Sequence, residues 1–363
     1  MKKIDWYILK IFLKTFFFSI FLFALIATAI DASEKSEDFF RSHLSFSEVI
    51  NLYYIGFIPH IVTLLFPVFV LVSVVFFTSR LAMRSEIVAM LSTGMSLSRI
   101  LRPFWIGGIF LAALLSLSNH FLIPQANKIR TDFEFKYIHM GRMQGNSSQY
   151  LTNLHFRVDS NTYAGMRSFD TLSKTGNGFF LSRLKNGTLF LNMRSESITW
   201  DPVKKEWKMF NVVERKINGM EEEIVYYSEY GIKIGYKPSD LTTDEFRKDK
   251  LKTPELSKLI DKESRRGSES VVPLRFERYR RDANAVSVIV MTLIAGILAS
   301  RKIRGGSGFH MALAFVIGVS FILVEKFSMV FCVKGNLNPL IAAWLPASVF
   351  GLLTLWLYQR APK

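Results

Sequence analysis

Six long apolar runs constrain this chain more than any other feature of its sequence. A helix needs about 20 apolar residues to cross the hydrocarbon core of a bilayer. The stretches that qualify are about Ile8–Ile30, Ile50–Ser79, Pro103–Pro124, Ala283–Ser300, Phe309–Phe331 and Pro339–Tyr358. They are apolar all round, whereas the strands of a membrane β-barrel alternate polar and apolar residues. The sequence therefore predicts six transmembrane helices, three on each side of a polar insert.

Composition agrees with a membrane protein. Half of the 363 residues are hydrophobic and 33 of them are phenylalanine, which is more apolar surface than a soluble domain readily hides. The formal charge of +16 would favour nucleic-acid binding if it were clustered on a soluble domain. Much of it instead flanks the apolar runs, so we expect no nucleic-acid partner.

The second and first apolar runs have features that affect how they are interpreted. The second is over-long and contains Pro59 and Pro67, which predicts a kinked or tilted helix with an interfacial start. The first is followed by Asp31-Ala32-Ser33-Glu34, a poor cleavage site, so we expect a retained span and not a signal peptide.

The short loops predict the orientation. Those after the second, fourth and sixth runs carry the basic residues Arg80, Arg84, Arg99, Arg102, Arg301, Lys302, Arg304, Arg360 and Lys363. By the positive-inside rule both termini are then cytoplasmic, and the insert lies on the other side of the membrane. The predicted domains are residues 1–126, 127–272 and 273–363.

The insert is predicted to be mostly β. Seven short runs rich in aromatic and β-branched residues are separated by turn residues, which is typical of a sandwich or jelly roll. The pairs Asn177-Gly178, Asn186-Gly187 and Asn218-Gly219 favour hairpins, and Asp201-Pro202 favours a turn. A helix at about 253–265 follows, with Thr253 as its cap and Pro254 in its first turn.

The sequence offers no recognisable catalytic apparatus. The histidines are scattered without HExxH spacing, and neither a GxSxG elbow nor a Walker A loop is present. We therefore expect no catalytic residue, no metal site and no cofactor bound by this chain. If ATP drives it, another chain must bind the nucleotide.

The loop after the second run contains a short amphipathic segment at about 82–94. Ile87, Met90 and Leu91 form an apolar stripe at helical spacing, and Gly94 is suited to end the helix. Physical reasoning leaves two interpretations open. The helix either lies on the lipid surface, or it docks a soluble partner with Glu86 as a charged contact.

Several motifs occur in a characteristic order along the chain: Arg84-Ser85-Glu86 through Met90, Ser92-Thr93-Gly94-Met95-Ser96, Pro103, Pro124-Gln125-Ala126, Trp200-Asp201-Pro202 with Trp207, Thr253-Pro254-Glu255-Leu256, and Pro339 with Ala343-Trp344-Leu345-Pro346. As an ordered set, they resemble the LptF/LptG (YjgP/YjgQ) permease family over essentially the whole chain, and more closely the LptG branch.

The resemblance implies a function and partners. Such permeases pair, usually F with G, in the bacterial inner membrane on a dimer of the ATPase LptB. They extract lipopolysaccharide and pass it through periplasmic β-jellyroll domains toward LptC and LptA. It implies that the segment from Arg84 to Gly94, with Glu86, Ile87, Met90 and Leu91, is the coupling helix that meets the ATPase.

Two sets of charged residues are candidate lipid contacts. Basic residues on the insert side could form a head-group rim: Lys35, Lys128, Arg130, Arg275, Arg278 and Arg281. The arginines could equally pair with Glu277 and Asp282. Glu325 and Lys326, near the end of the fifth run, could snorkel at the interface. The resemblance instead implies a place at a lateral gate between the first and fifth spans.

One departure from the family concerns the end of the first span. Better-known members carry basic residues there, but this chain has Ala27-Thr28-Ala29-Ile30-Asp31, with only Lys35 beyond.

Two other classes of function compete with the transporter: an envelope scaffold or sensor whose β domain binds a partner, and a membrane-bound hydrolase.

Overall fold

The computed structural model describes residues 3–139, 150–171, 173–185, 187–219, 221–238, 247–266, 270–301 and 306–360. Within them, six helices are long and apolar enough to cross a membrane, and one six-stranded antiparallel sheet lies between the third and fourth in the sequence. The predicted membrane α+β class with a sheet insert is confirmed. Asn186, Lys302, Arg304 and Lys363, which entered the hairpin and orientation predictions, lie outside the described residues.

The helices of the described residues are, in chain order, α1 (Lys3–Glu34), α2 (Ser36–Arg41), α3 (Phe46–Val49), α4 (Ile55–Leu64), α5 (Phe66–Met83), α6 (Glu86–Ser92), α7 (Leu97–Leu117), α8 (Ile123–Phe133), α9 (Arg247–Lys250), α10 (Thr253–Arg266), α11 (Val271–Ala299), α12 (Gly306–Lys334) and α13 (Pro339–Gln359). Wider π-helical turns at Ile50–Tyr54, Ser118–Leu122 and Glu134–His139 continue neighbouring helices. Spans one to six are α1, α4 with α5, α7 with α8, α11, α12 and α13.

The predicted irregularity of the second span is a break between α4 and α5. Leu65 leaves the helical conformation, and Pro67 occupies the first turn of the next helix. Proline supplies no backbone N–H and its ring clashes with the carbonyl four residues earlier, so it does not fit inside a helix but is tolerated in the first turn. One helix therefore ends before Pro67 and another begins with Pro67 in its first turn.

Several helices extend beyond their apolar runs. Span four begins at Val271, twelve residues before the predicted Ala283, and the third helix continues past Pro124 as α8. Charged residues such as those of α8 are unfavourable inside the hydrocarbon core, but they are good helix formers and allow the helix to continue beyond it. Hydropathy therefore marks where the hydrocarbon ends and not where the helix ends.

Packing of the described residues divides the chain into two compact units. The transmembrane unit comprises Met1–Tyr137, Lys248–Leu256 and Val272–Lys363, and the sheet unit comprises Ile138–Arg247 and Ser257–Val271. The domain boundaries at 127 and 273 stay predictions.

Aromatic side chains hold the first three spans together. The Phe12 ring stacks at 5.8 Å from Phe77 and 6.4 Å from Phe104, and those two rings lie 5.7 Å apart. Gly107 permits this approach, because a Cβ atom there would lie 2.4 Å from the Phe12 ring. The three helices thus form a dry, closely packed core.

The sheet has strands β1 (Tyr150–Arg157), β2 (Thr162–Asp170), β3 (Thr175–Lys185), β4 (Thr188–Asp201), β5 (Glu206–Asn218) and β6 (Glu221–Ile232), each paired with its sequence neighbour. Two of the seven predicted runs are halves of β4, which pairs along its length with β3 and β5. Trp207 is fully buried in the sheet core and donates from Nε1 to the Tyr236 carbonyl at 2.7 Å.

The predicted turns have mixed outcomes. Asp201 accepts hydrogen bonds from the backbone N–H groups of Val203 and Lys204 at 2.9 and 3.1 Å, which confirms the turn between β4 and β5. The hairpin predicted at Asn177-Gly178 is wrong, since both residues lie inside β3. Gly178 has φ +62° there, a conformation that glycine adopts within a strand without steric cost.

Candidate functional site

The apolar stripe of α6 packs against the chain's own transmembrane core. Ile87 is only 2 % exposed, and the partly buried Met90 and Leu91 pack against the same cluster. The stripe therefore fixes the helix to the spans, and it does not face lipid. The Ile87 side chain is inaccessible to any partner in this conformation.

Both ends of α6 are tightly turned. Ser85 adopts φ +62° before the helix and Gly94 adopts φ +80° after it. The Gly94 N–H donates to Leu91 and the Met95 N–H to Met90, at 3.0 and 3.3 Å. These two bonds form a Schellman motif, which ends a helix at a left-handed glycine.

The opposite side of α6 is open. Val88 is 44 % exposed, and Ala89, Ser92 and Thr93 are exposed beside it. Glu86, which is half-buried, accepts a 3.4 Å hydrogen bond from the Tyr7 hydroxyl of span one. The helix is therefore held by its apolar face and accessible on the other.

Four charged residues form a network at the insert end of spans one and three, the end where the chain enters and leaves the sheet unit. This span-three cluster contains Asp31, Lys35, Arg130 and Glu134. Lys35 Nζ lies 3.0 Å from Asp31 Oδ1 and 3.2 Å from Glu134 Oε1, and it also donates to the Tyr53 hydroxyl. Arg130 Nη1 lies 3.2 Å from Glu134 Oε1. Two cations thus face two carboxylates.

A second network, the span-four cluster, contains Glu277, Arg278, Arg280, Arg281 and Asp282 of α11 with Glu325 of α12. Arg280 joins the two helices, since it lies 2.8 Å from Glu277 Oε2 and 3.2 Å from Glu325 Oε1. Arg278 Nη1 lies 2.7 Å from Asp282 Oδ2. Three guanidinium groups face three carboxylates, so this cluster is also balanced in charge.

Arg281 is the most enclosed cation of that cluster, with 4 % of its side chain exposed. Its Nε lies 3.2 Å from Glu277 Oε1, and its Nη1 donates to the Thr253 hydroxyl at 3.1 Å. The Thr253 hydroxyl also lies 2.6 Å from His120 Nδ1. These bonds attach the segment Lys248–Leu256 to spans three and four. Arg281 and His120 therefore both have a structural role.

Asp249 of α9 lies beside the span-four cluster. Burial and the neighbouring carboxylate of Glu277 raise the pKa of Asp249 to about 6. Its backbone carbonyl accepts a 3.1 Å hydrogen bond from Asn127 Nδ2. The segment is therefore held in place while its carboxyl group sits in unfavourable surroundings at neutral pH.

The predicted rim residues divide into two groups. Lys35, Arg130, Arg278 and Arg281 are paired with carboxylates, whereas Lys128 is exposed. Arg275 is exposed as well but has contacts of its own. Lys326 is exposed too, although its neighbour Glu325 pairs with Arg280.

Sequence reasoning missed the roles of Asp31, Glu134, Asp249 and Thr253. The i to i+4 spacing of Asp31 with Lys35 and of Arg130 with Glu134 was the available signal for two of those contacts.

The aromatic residues of the sheet unit lie on both of its faces. Phe179 and Trp207 are buried in the core, while the half-buried Phe180 and Phe210 are one residue out of phase with the core positions. Because successive side chains in a strand point to opposite faces, these two rings lie on the other face of the sheet, where Phe180 pairs with Arg194 and Phe210 with Glu229.

Comparisons with known proteins bear on the whole chain. The family model of the lipopolysaccharide export system permease LptF/LptG matches residues 6–360. The match does not separate LptF from LptG, so the closer relation to LptG stays a prediction. A comparison with curated proteins found no match. Among the described residues, no group of three or more His, Cys, Asp or Glu side chains is arranged to hold a metal ion.

Proposed function

Because the chain belongs to the LptF/LptG family of lipopolysaccharide export permeases, we propose that it extracts lipopolysaccharide from the inner membrane as one subunit of an ATP-driven transporter. Its partners in this proposal are a dimer of an LptB-like ATPase and a second LptF/LptG-type permease. LptC/LptA-like proteins receive the lipid on the periplasmic side. The observation that carries the proposal is the family match over nearly the entire length.

The orientation belongs to the same proposal. Both termini and α6 lie in the cytoplasm, and the sheet unit lies in the periplasm. The basic residues of the loop between spans two and three support this arrangement, as does the family.

The geometry of α6 supports ATPase docking. The helix is anchored by Ile87 and closed by the Gly94 cap, so a push on its exposed face is passed to spans two and three without local unfolding. In this proposal Glu86 and Val88 contact the ATPase, while Met90 and Leu91 hold the helix in place. The chain itself binds no nucleotide.

The cargo contacts follow from which cations are exposed. Lipopolysaccharide carries phosphate groups, and cations at the membrane surface attract them. Lys128 is the exposed candidate for the head-group rim. The paired residues Lys35, Arg130, Arg278 and Arg281 would first have to release a carboxylate, so we assign them to holding the helices together.

The Arg280–Glu325 pair supports a gating role for span five. It joins α11 to α12 at 3.2 Å, and opening of a lateral gate requires one helix to move relative to its neighbours. Breaking and remaking this pair offers a way to alternate between two arrangements. Lys326, exposed on the same turn, lies at the rim of the gate.

The edges and faces of the sheet support the proposal that lipopolysaccharide passes along this unit. The described part of the sheet ends in β1 and β6, each with one paired neighbour, and Tyr226 on β6 is 75 % exposed. Unpaired strand edges accept a strand from another chain, which suits a bridge built from successive β domains. The face that carries the Phe180 and Phe210 rings offers the acyl chains a path.

Copurification tests the proposal against a scaffold or sensor. The tagged chain is solubilised gently from its own membranes, and the accompanying proteins are identified by mass spectrometry. We expect an ATPase and a second permease with the wild type, and loss of the ATPase with Glu86→Lys. Glu37→Lys, at an exposed acid far along the chain, is the matched control. Recovery of periplasmic proteins without an ATPase would favour the scaffold.

A further inference from the structure

A groove of about 160 Å³ opens between spans one and two, near α6. Tyr7, Ile11 and Thr15 of α1 form one wall, and their spacing of four residues places them on one side of that helix. The other wall is formed by the end of α5 and the residue after it, and it carries Arg80 and Arg84. The groove therefore combines two guanidinium groups and a phenol with an apolar lining.

The two arginines differ from those at the insert end of the spans. Arg80 stacks over the Phe76 ring, with its Cζ atom 4.4 Å from the ring centroid, and both Arg80 and Arg84 are exposed. Over the described ranges, neither forms an ion pair. The span-three and span-four clusters, by contrast, give each of their cations a carboxylate.

Two lysines add to this charge from the α1 side. Lys10 and Lys14 follow Tyr7 by three and seven residues, which brings them to the same side of the helix. Both are exposed. Lys14 lies roughly 16 Å along α1 from its first residue, inside the apolar run. An ionisable residue inside a predicted apolar run is a candidate ligand contact.

The same side of α1 becomes apolar further along. Phe18 and Leu22 follow Tyr7 by 11 and 15 residues and are 65 % and 47 % exposed. A line that is cationic beside the groove and apolar beyond it matches an amphiphile with an anionic head group and long chains. A soluble anion uses only the first part of that line.

We propose that this groove is a binding site for an anionic phospholipid. The phosphate lies between Arg80, Arg84 and Lys14, and the acyl chains follow Phe18 and Leu22. Guanidinium groups bind phosphate oxygens in pairs, and basic pockets between transmembrane helices are known to bind anionic head groups. The site is separate from the proposed cargo rim, and it does not depend on the identity of the cargo or the ATPase.

The site has a direct neighbour in α6. Tyr7 lines the groove and its hydroxyl also donates to Glu86. A head group bound in the groove would contact Tyr7, the side chain that is hydrogen-bonded to Glu86 of α6. Lipid occupancy then influences how α6 is held.

Native mass spectrometry of the purified full-length protein tests the site, with phosphatidylglycerol and phosphatidylcholine added in equal amounts. We expect retention of phosphatidylglycerol over phosphatidylcholine. The Arg80→Gln/Arg84→Gln double variant should lower that retention about tenfold, because two charge-assisted hydrogen bonds are lost. Arg102→Gln removes an exposed arginine from the neighbouring helix α7 and should leave retention unchanged.

Two further variants separate a built site from general attraction. Thr15→Trp fills the groove without removing a charge and should reduce retention as strongly as the double glutamine variant. The Arg80→Lys/Arg84→Lys variant keeps the charge and should retain most of the lipid. Equal retention of the two lipids overturns the proposal, as does wild-type retention by Thr15→Trp. Displacement of the lipid by excess inorganic phosphate, or binding only when an ATPase is present, overturns it too.

Discussion

At the scale of single residues, Glu277 balances two guanidinium groups, those of Arg280 and Arg281. Replacement by glutamine leaves both cations with a neutral partner in a buried place, and loss of one partner of a buried ion pair costs about 3–5 kcal/mol. We predict a clearly lower unfolding midpoint for Glu277→Gln in detergent. Glu37→Gln breaks an exposed pair with Arg41 and should barely change the midpoint. Equal midpoints for both variants would contradict the structural role of the cluster.

Asp249 makes stability depend on pH. Its pKa in the folded protein is about 6, above the ordinary 3.8, so folding favours the protonated form. Below about pH 4 the group is protonated in both states, and the folded state loses stability as the pH rises through about 6. Asp249→Asn should therefore stabilise the protein at neutral pH, by up to about 3 kcal/mol, and have little effect in acid.

Unfolding midpoints at several pH values measure this effect. Asp132→Asn is the control, because Asp132 is 57 % exposed and pairs with Lys250 at the surface. A gain for Asp249→Asn that does not vary with pH would rule out titration of Asp249 as its cause.

The residue types of the clusters were predictable from the sequence, but most of their partners were not. Lys35 meets Glu134, 99 positions further along the chain, and His120 meets Thr253 across 133 positions. Such contacts depend on how the helices are assembled. The sequence suggested that the arginines pair with Glu277 and Asp282, and the structure contains the Arg278–Asp282 pair. Only the assembled helices showed that Arg281 is enclosed.

At the scale of elements, the Gly94 cap sets the position of α6. A side chain in the left-handed conformation costs about 1 kcal/mol, and Gly94 has open space around its Cα. Gly94→Ala should therefore strain the backbone without a clash. We predict faster amide hydrogen exchange at the C-terminal end of α6 and weaker recovery of the ATPase, with normal membrane insertion. Gly308→Ala, which also meets no neighbour and lacks a positive φ, is the control. Unchanged exchange in Gly94→Ala would contradict the role of the cap.

Element positions were easier to predict than element ends. The apolar runs located all six spans, since burial in lipid imposes a length that sequence composition reveals. The start of α11 at Val271 was missed because helix propensity and pairing of its arginines carry the helix past the hydrocarbon. At Asn177-Gly178 a strong local turn signal yielded to strand pairing on both sides, with β2 and β4.

At the scale of the whole molecule, the positive charge is distributed in two ways. At the insert end of the spans, the two ion clusters neutralise most of the predicted rim and leave Lys128 exposed. Beside α6, Arg80, Arg84, Lys10 and Lys14 have no carboxylate partner among the residues described. The presence or absence of a carboxylate partner distinguishes cations that hold helices together from cations that are available to phosphate. The family resemblance alone does not make that distinction.

ATP-dependent crosslinking to lipopolysaccharide tests the central claim most directly. A photo-crosslinking amino acid replaces Phe180 on the sheet, and the chain is reconstituted in liposomes with its copurifying partners and lipopolysaccharide. Val203, 88 % exposed in the turn after β4, is the control position. We predict lipopolysaccharide adducts at position 180 that increase with ATP, and none at position 203. If no adduct forms at position 180, or if its amount does not change with ATP, the chain does not pass lipopolysaccharide along its sheet in an ATP-driven way.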